Sequence, residues 1–134
     1  MSEEKEQQLL KAAQEAKNGA AQTEDALEAL KEHYSKTDEK IYTVTTTVQV
    51  DDETQEEFTY IFRKPKPASY DRYVKTISSS VTKASRSFVF DNVIDEQKDD
   101  LKKTVEEYPA ITISLADKLL RMLGLADTTS VKKL

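Results

Sequence analysis

The sequence has no cysteine and no tryptophan, one histidine, two glycines and three prolines. Without cysteine there is no disulfide, no thiolate metal site and no thiol nucleophile, and an intracellular setting is the simplest expectation. A phosphate cradle needs glycine, so that backbone amides can approach closely. Gly19 and Gly124 both stand where helices are expected to stop, which excludes a P-loop or a dinucleotide fold. The lone imidazole, His33, has Glu28 and Glu32 nearby, but a metal site needs two or three more suitable ligands; a solvated helix-surface histidine is expected. Serines cluster at Ser78-Ser79-Ser80 and recur at Ser85, Ser87 and Ser114, yet no Gly-x-Ser-x-Gly elbow frames them and no central histidine serves them as base. There is no apolar run of about 18 residues to span a membrane. Met1 to Gln8 is acidic and polar, unlike a secretory signal. With 20 Lys and Arg against 25 Asp and Glu, the net charge is −5, which argues against a general nucleic-acid binder.

What is present is a polar chain of 134 residues, 37% hydrophobic and 34% charged, with a mean hydropathy of −0.68. Its composition changes near residue 40. Residues 1–40 hold only Leu9, Leu10, Leu27 and Leu30 among the large aliphatics, and carry ten acids and six lysines. So few apolar groups cannot bury much of a core, while Ala, Glu, Gln and Lys favour helix. Two helices are predicted, over about 3–17 and from a Thr23 cap to about Tyr34, with Ala26, Leu27, Leu30 and Tyr34 on one stripe. This acidic helical arm either docks on a partner or stays loosely helical. Residues 41–126 form the predicted core domain, in which 24 of 86 residues are Leu, Ile, Val or Phe. The last residues, 127–134, read as a flexible tail.

The core domain opens with a β-hairpin. In Ile41–Val50, strict alternation puts Tyr42, Val44, Val48 and Val50 on one face and threonines on the other, and Glu57–Arg63 adds Phe58, Tyr60 and Phe62 to the apolar face. Asp51-Asp52-Glu53-Thr54 is the turn; its acids read as solvated, the other reading being a weak hard-cation site. Pro67 suits a first helical position, and Tyr70, Tyr73, Val74, Ile77 and Val81 follow at helical spacing as a core stripe. Further helices are predicted over about Thr82–Val93, over Glu96–Glu107 with Asp95 as cap, and over Ile111–Leu123, stopped by Gly124. The expected fold is α+β: a two-stranded antiparallel hairpin packed against a mostly helical bundle. The expected core is Tyr60, Phe62, Tyr73, Ile77, Phe88, Leu101, Val105, Leu115 and Leu119.

Candidate chemistry is sparse. Asp99-Asp100 and Glu106-Glu107, mixed with Lys98, Lys102 and Lys103, read as an exposed, salt-laced helix face, with no acid expected to be buried for general acid–base work. Arg63, Lys64, Lys66, Lys75, Lys83 and Arg86 make the middle mildly basic, and Tyr70, Tyr73 and Phe88 among them are expected to pack rather than to stack on bases. No enzyme activity, cofactor or metal is expected. The last helix has more apolar positions than one stripe uses. Ile113, Leu120 and Leu123 lie beside the inner stripe of Ile111, Leu115, Leu119 and Met122, and Leu125 follows the stop. With Val44 and Val48 of the hairpin, whose edge is open, these are the candidate partner-binding residues. The competing reading is that Leu9, Leu27 and Leu30 of the arm cover that patch.

Several short stretches carry a resemblance: Tyr60-Ile-Phe-Arg-Lys-Pro65, Ala68-Ser-Tyr-Asp-Arg-Tyr-Val74, Phe88-Val-Phe-Asp-Asn-Val-Ile94, Val105-Glu-Glu-Tyr-Pro-Ala110, Leu115-Ala-Asp-Lys-Leu-Leu120 and Leu123-Gly-Leu125. Over about residues 41–125 the chain resembles the small tail assembly chaperones of long-tailed bacteriophages and prophages. In that group a hairpin ending Phe-Arg-x-Pro precedes a helix with a Tyr-Asp-Arg-like turn, an acidic helix ending Glu-Tyr-Pro, and a terminal helix ending Leu-Gly. The resemblance implies a non-enzymatic protein of the host cytoplasm. It would bind the apolar, helical tape measure protein and keep it soluble during tail assembly. A structural or adaptor protein of the tail or connector is the alternative, and a small nucleic-acid-binding regulator a weaker one. A protein partner is expected, with no membrane and no nucleic acid, and an oligomer is compatible with this reading.

Overall fold

Two runs dense in β-branched and aromatic residues, Ile41–Gln49 (β1) and Gln55–Arg63 (β2), pair antiparallel in a computed structural model that describes residues 22–37 and 40–134. Around this hairpin the described residues form five α-helices: α1 (Glu24–Ser35), α2 (Pro67–Ile77), α3 (Val81–Asn92), α4 (Lys98–Glu107) and α5 (Ile111–Met122). The fold is α+β, a hairpin packed on helices, as the pattern predicts. Among the described residues no helix is long and apolar enough to cross a membrane.

The register sets Val44 opposite Tyr60, Tyr42 opposite Phe62 and Thr46 opposite Phe58. The predicted apolar face therefore forms. Val44, Tyr60 and Phe62 are buried against Phe88, Val89 and Val93, Leu101 and Val105, and Ile111, Leu115 and Leu119. At the hairpin tip the Asp51 carboxylate accepts the N–H groups of Glu53 and Thr54, each at 2.8 Å. The Glu53 amide above all holds that carboxyl below its ordinary pKa.

The other face is not all threonine, because the same alternation places Ile41 and Ile61 there. Ile61 is fully buried under α1, where Ala26, Leu30 and Tyr34 close on Ile61 and Ile94. The segment read as an arm thus contributes a second, smaller core. Ala26, Leu30 and Tyr34 recur every four residues and form its inner stripe, while Leu27 lies at the half-exposed margin. Thr23 caps α1 as expected, its hydroxyl accepting the Ala26 N–H at 3.3 Å. The helix expected over 3–17, with Leu9, lies outside the described residues.

Local signals set most other boundaries. Pro67 opens α2 and the Ser80 hydroxyl caps α3 by accepting the Lys83 N–H. Gly124 adopts φ 107°, and the Leu125 and Gly124 N–H groups fold back to the Leu120 and Arg121 carbonyls at 3.0 and 3.1 Å. This is a Schellman stop. Asp95 does not cap α4. A 3₁₀ turn over Asp95–Gln97 comes first, because the Ile94 N–H is held by the Ile61 carbonyl at 3.0 Å, and the Asp95 side chain pairs with Lys98 instead.

Candidate functional site

The two edges of the hairpin are treated differently. The backbone groups of Thr59 and Ile61 point away from β1, and side chains meet them. Gln97, fully buried, accepts the Ile61 N–H at 2.7 Å and donates to the Thr59 carbonyl at 3.1 Å. Gln22 accepts the Thr59 N–H at 2.6 Å and donates to the same carbonyl at 3.0 Å. Two glutamine amides, with the Ile94 N–H, stand in for a third strand. A buried backbone polar group must find such a partner.

On β1 the parity is fixed by two flanking bonds, Lys64 N–H to the Lys40 carbonyl at 3.1 Å and Val50 N–H to the Thr54 carbonyl at 2.9 Å. Even-numbered residues of β1 thus turn their backbone toward β2. The amides and carbonyls of Thr43, Thr45 and Thr47 turn outward, and none of them has a hydrogen-bond partner among the described residues. Nor does this edge carry a charge or a proline between Ile41 and Gln49. Beside it, Thr47 and Val48 of β1 and Tyr108, Pro109, Ile111 and Ser114 at the α4–α5 corner line an open, mostly apolar recess of about 370 Å³.

Behind the capped edge sits a polar cluster that the pattern does not suggest. Asp100, read as part of an exposed face, is buried and accepts the Tyr60 phenol at 2.8 Å and the Gln22 amide at 3.1 Å. The Tyr60 and Thr104 hydroxyls lie 2.7 Å apart. Burial, with the Asp100 charge adding to it, pushes the Tyr60 phenol well above its ordinary pKa. Tyr34 is raised likewise, first by burial and then by its 2.6 Å bond to Glu96. These groups join β2 to α4 and α1 to the 3₁₀ turn.

The candidate partner-binding residues separate. Val44 is buried in the core and Val48 half-buried, because they face the helices rather than the strand edge. Leu120 and Leu123 are half-buried against the same core. Ile113 and Leu125 are about half exposed. The larger apolar exposure lies where a core stripe is predicted. Of α2 only Ser69 is buried, held by the Asn92 amide at 3.0 Å; Tyr73 and Ile77 are half-buried, and Tyr70, Val74 and Val81 stand 40, 47 and 51% exposed. The spacing marks the apolar side of α2 but not whether anything covers it. Of the mildly basic middle, the guanidinium groups of Arg63 and Arg86 lie over the rings of Tyr34 and Phe90; Arg72, outside that set, pairs with Asp91 at 3.0 Å.

A family profile described as a domain of unknown function, DUF6848, matches residues 30–132. The chain belongs to the DUF6848 family. The match begins within α1, at Leu30, and so takes in part of the helix that covers Ile61. Among solved structures the chain is similar to the uncharacterised protein RBSTP2171 from Bacillus stearothermophilus. The two are 25% identical with a TM-score of 0.63, over 79% of this chain and 99% of that one. No curated protein matches the sequence.

Proposed function

We propose that this member of the DUF6848 family is a non-enzymatic tail assembly chaperone of a bacteriophage or prophage. It acts in the host cytoplasm, where it binds a helical, partly apolar segment of a tape measure protein and keeps it soluble. The observation that carries this reading is the exposure of large apolar side chains on three helices: Tyr70 and Val74 on α2, Val81 on α3 and Ile113 on α5. An exposed apolar surface on a strongly charged chain suits a helix that docks by its own apolar stripe. The net charge of −5 keeps such a protein soluble while the surface is empty. The resemblance over residues 41–125 supplies the identity of the client.

Co-expression with a tape measure segment from the same genome, followed by pull-down, tests the proposal. Val74→Asp and Ile113→Asp should each lower capture by about tenfold or more while circular dichroism stays native. Capture that survives both changes, or no capture by the unaltered protein, refutes it. The open β1 edge favours a second reading, a structural or adaptor protein of the tail, which would instead assemble stably without any client.

A further inference from the structure

Natural sheets seldom leave a long, flat, uncharged edge open; they cover it, shorten it, or place lysine or proline on it. Here one edge is covered by Gln22, Gln97 and Ile94, and the other offers nine residues, Ile41–Gln49, with no lysine or proline and no cover among the described residues. The strand is also complementary to itself. Its middle residue is Thr45, so antiparallel pairing of two copies about Thr45 creates a two-fold axis and sets Thr43 opposite Thr47. No like charges then face each other between Ile41 and Gln49.

The same register explains two features that otherwise stand apart. Tyr42 lies on the helix-facing side of β1 yet is 40% exposed. Val48, on the same side, borders the recess beside the open edge. Pairing about Thr45 sets Tyr42 of one copy opposite Val48 of the other, so its ring enters the recess between Val48, Tyr108, Pro109 and Ile111, twice by symmetry. We propose that the protein forms a homodimer through antiparallel β1–β1 pairing centred on Thr45, a continuous four-stranded sheet in which each Tyr42 fills the recess of the other copy. This is independent of the identity of any client.

Sedimentation equilibrium of the full chain between roughly 1 and 100 µM should show a reversible monomer–dimer equilibrium. Thr45→Pro removes one outward N–H without touching the β1–β2 ladder, and Tyr42→Ala empties the recess; each should weaken the dimer by about tenfold or more with native circular dichroism. Because the chain has no cysteine, crosslinking reads the register directly. Facing residues of such a pair lie about 5.5 Å apart at Cα, within disulfide reach. Oxidised Thr45→Cys protein should form a covalent dimer. Thr43→Cys alone should not, whereas a mixture of Thr43→Cys and Thr47→Cys proteins should. A chain that stays monomeric at roughly 100 µM, or a dimer indifferent to both Thr45→Pro and Tyr42→Ala, overturns the proposal. So does a monomer with slow amide exchange at Thr43, Thr45 and Thr47, which would assign the edge to a segment of the same chain.

Discussion

The phenol of Tyr60 donates to the carboxylate of Asp100 at 2.8 Å, tying the middle of β2 to the first turn of α4 through the interior. Both residues are buried, so neither can turn to water if the other is removed. Tyr60→Phe keeps the ring in its apolar setting and deletes only the hydroxyl. Asp100 then retains Gln22 as its side-chain donor. A loss of about 1–3 kcal/mol is expected, because a buried acceptor left short of a donor costs more than an ordinary hydrogen bond returns. Urea denaturation of the two proteins measures it; a change below about 0.5 kcal/mol would mean that water replaces the phenol.

The raised phenols of Tyr60 and Tyr34 predict alkaline instability. Unfolded tyrosines lose their proton near pH 10, while these two keep theirs in the folded protein because burial disfavours the phenolate. Above pH 10 the folded state therefore binds more protons than the unfolded one, and stability falls as pH rises. The contribution is fully present below the unfolded value and declines above it. For Tyr60 alone the slope approaches about 1.4 kcal/mol per pH unit. Chemical denaturation at pH 8, 10 and 11 should show the decline. Tyr60→Phe should be less stable at pH 8 yet flatter above pH 10.

Gln97 needs both ends of its amide, one accepting from Ile61 and the other donating to Thr59. Gln97→Glu keeps the shape and the acceptor, but an ionised carboxylate cannot donate to the Thr59 carbonyl. At pH 7 this variant should lose about 2 kcal/mol or more, since a charge is buried beside an unanswered carbonyl. Its carboxyl should titrate above the ordinary value, so the loss should shrink as pH falls and the group regains its donor. A pH-independent deficit in thermal melts would argue against this arrangement.

Within α1, the burial pattern separates two leucines that look alike in sequence. Leu30 is fully buried against Ile61 and Ile94, whereas Leu27 is half exposed. Leu30→Ala should cost about 2–5 kcal/mol and Leu27→Ala less than about 1 kcal/mol. A chain starting at Ile41 should melt lower than the full chain, because Ile61 and Ile94 would then face water. Equal costs at the two leucines, or an unchanged melt on truncation, would show α1 to be dispensable.

The sequence by itself determined the local structure. Alternation in β1 and β2 sorts Val44, Tyr60 and Phe62 to the apolar face, and Thr23, Pro67 and Gly124 mark helix ends through their own backbone preferences, since a cap or a fixed φ acts within a turn of its origin. What only the tertiary structure decided is which surfaces meet. Ile61 sits among threonines on a face expected to be polar, and its burial depends on α1 arriving from another part of the chain. Gln97 and Asp100 look like any polar residues of an acidic helix until β2 supplies the groups that they satisfy. Conversely, Tyr70 and Val74 have the spacing of a core stripe and lie in solvent, while Leu120 and Leu123 lie half against the core. Periodicity states which side of an element is apolar, because side-chain direction is a property of the local backbone. Whether that side is covered is a property of distant partners: α3 covers α2 only in part, through Phe88 on Tyr73, and no described residue pairs with the outer edge of β1.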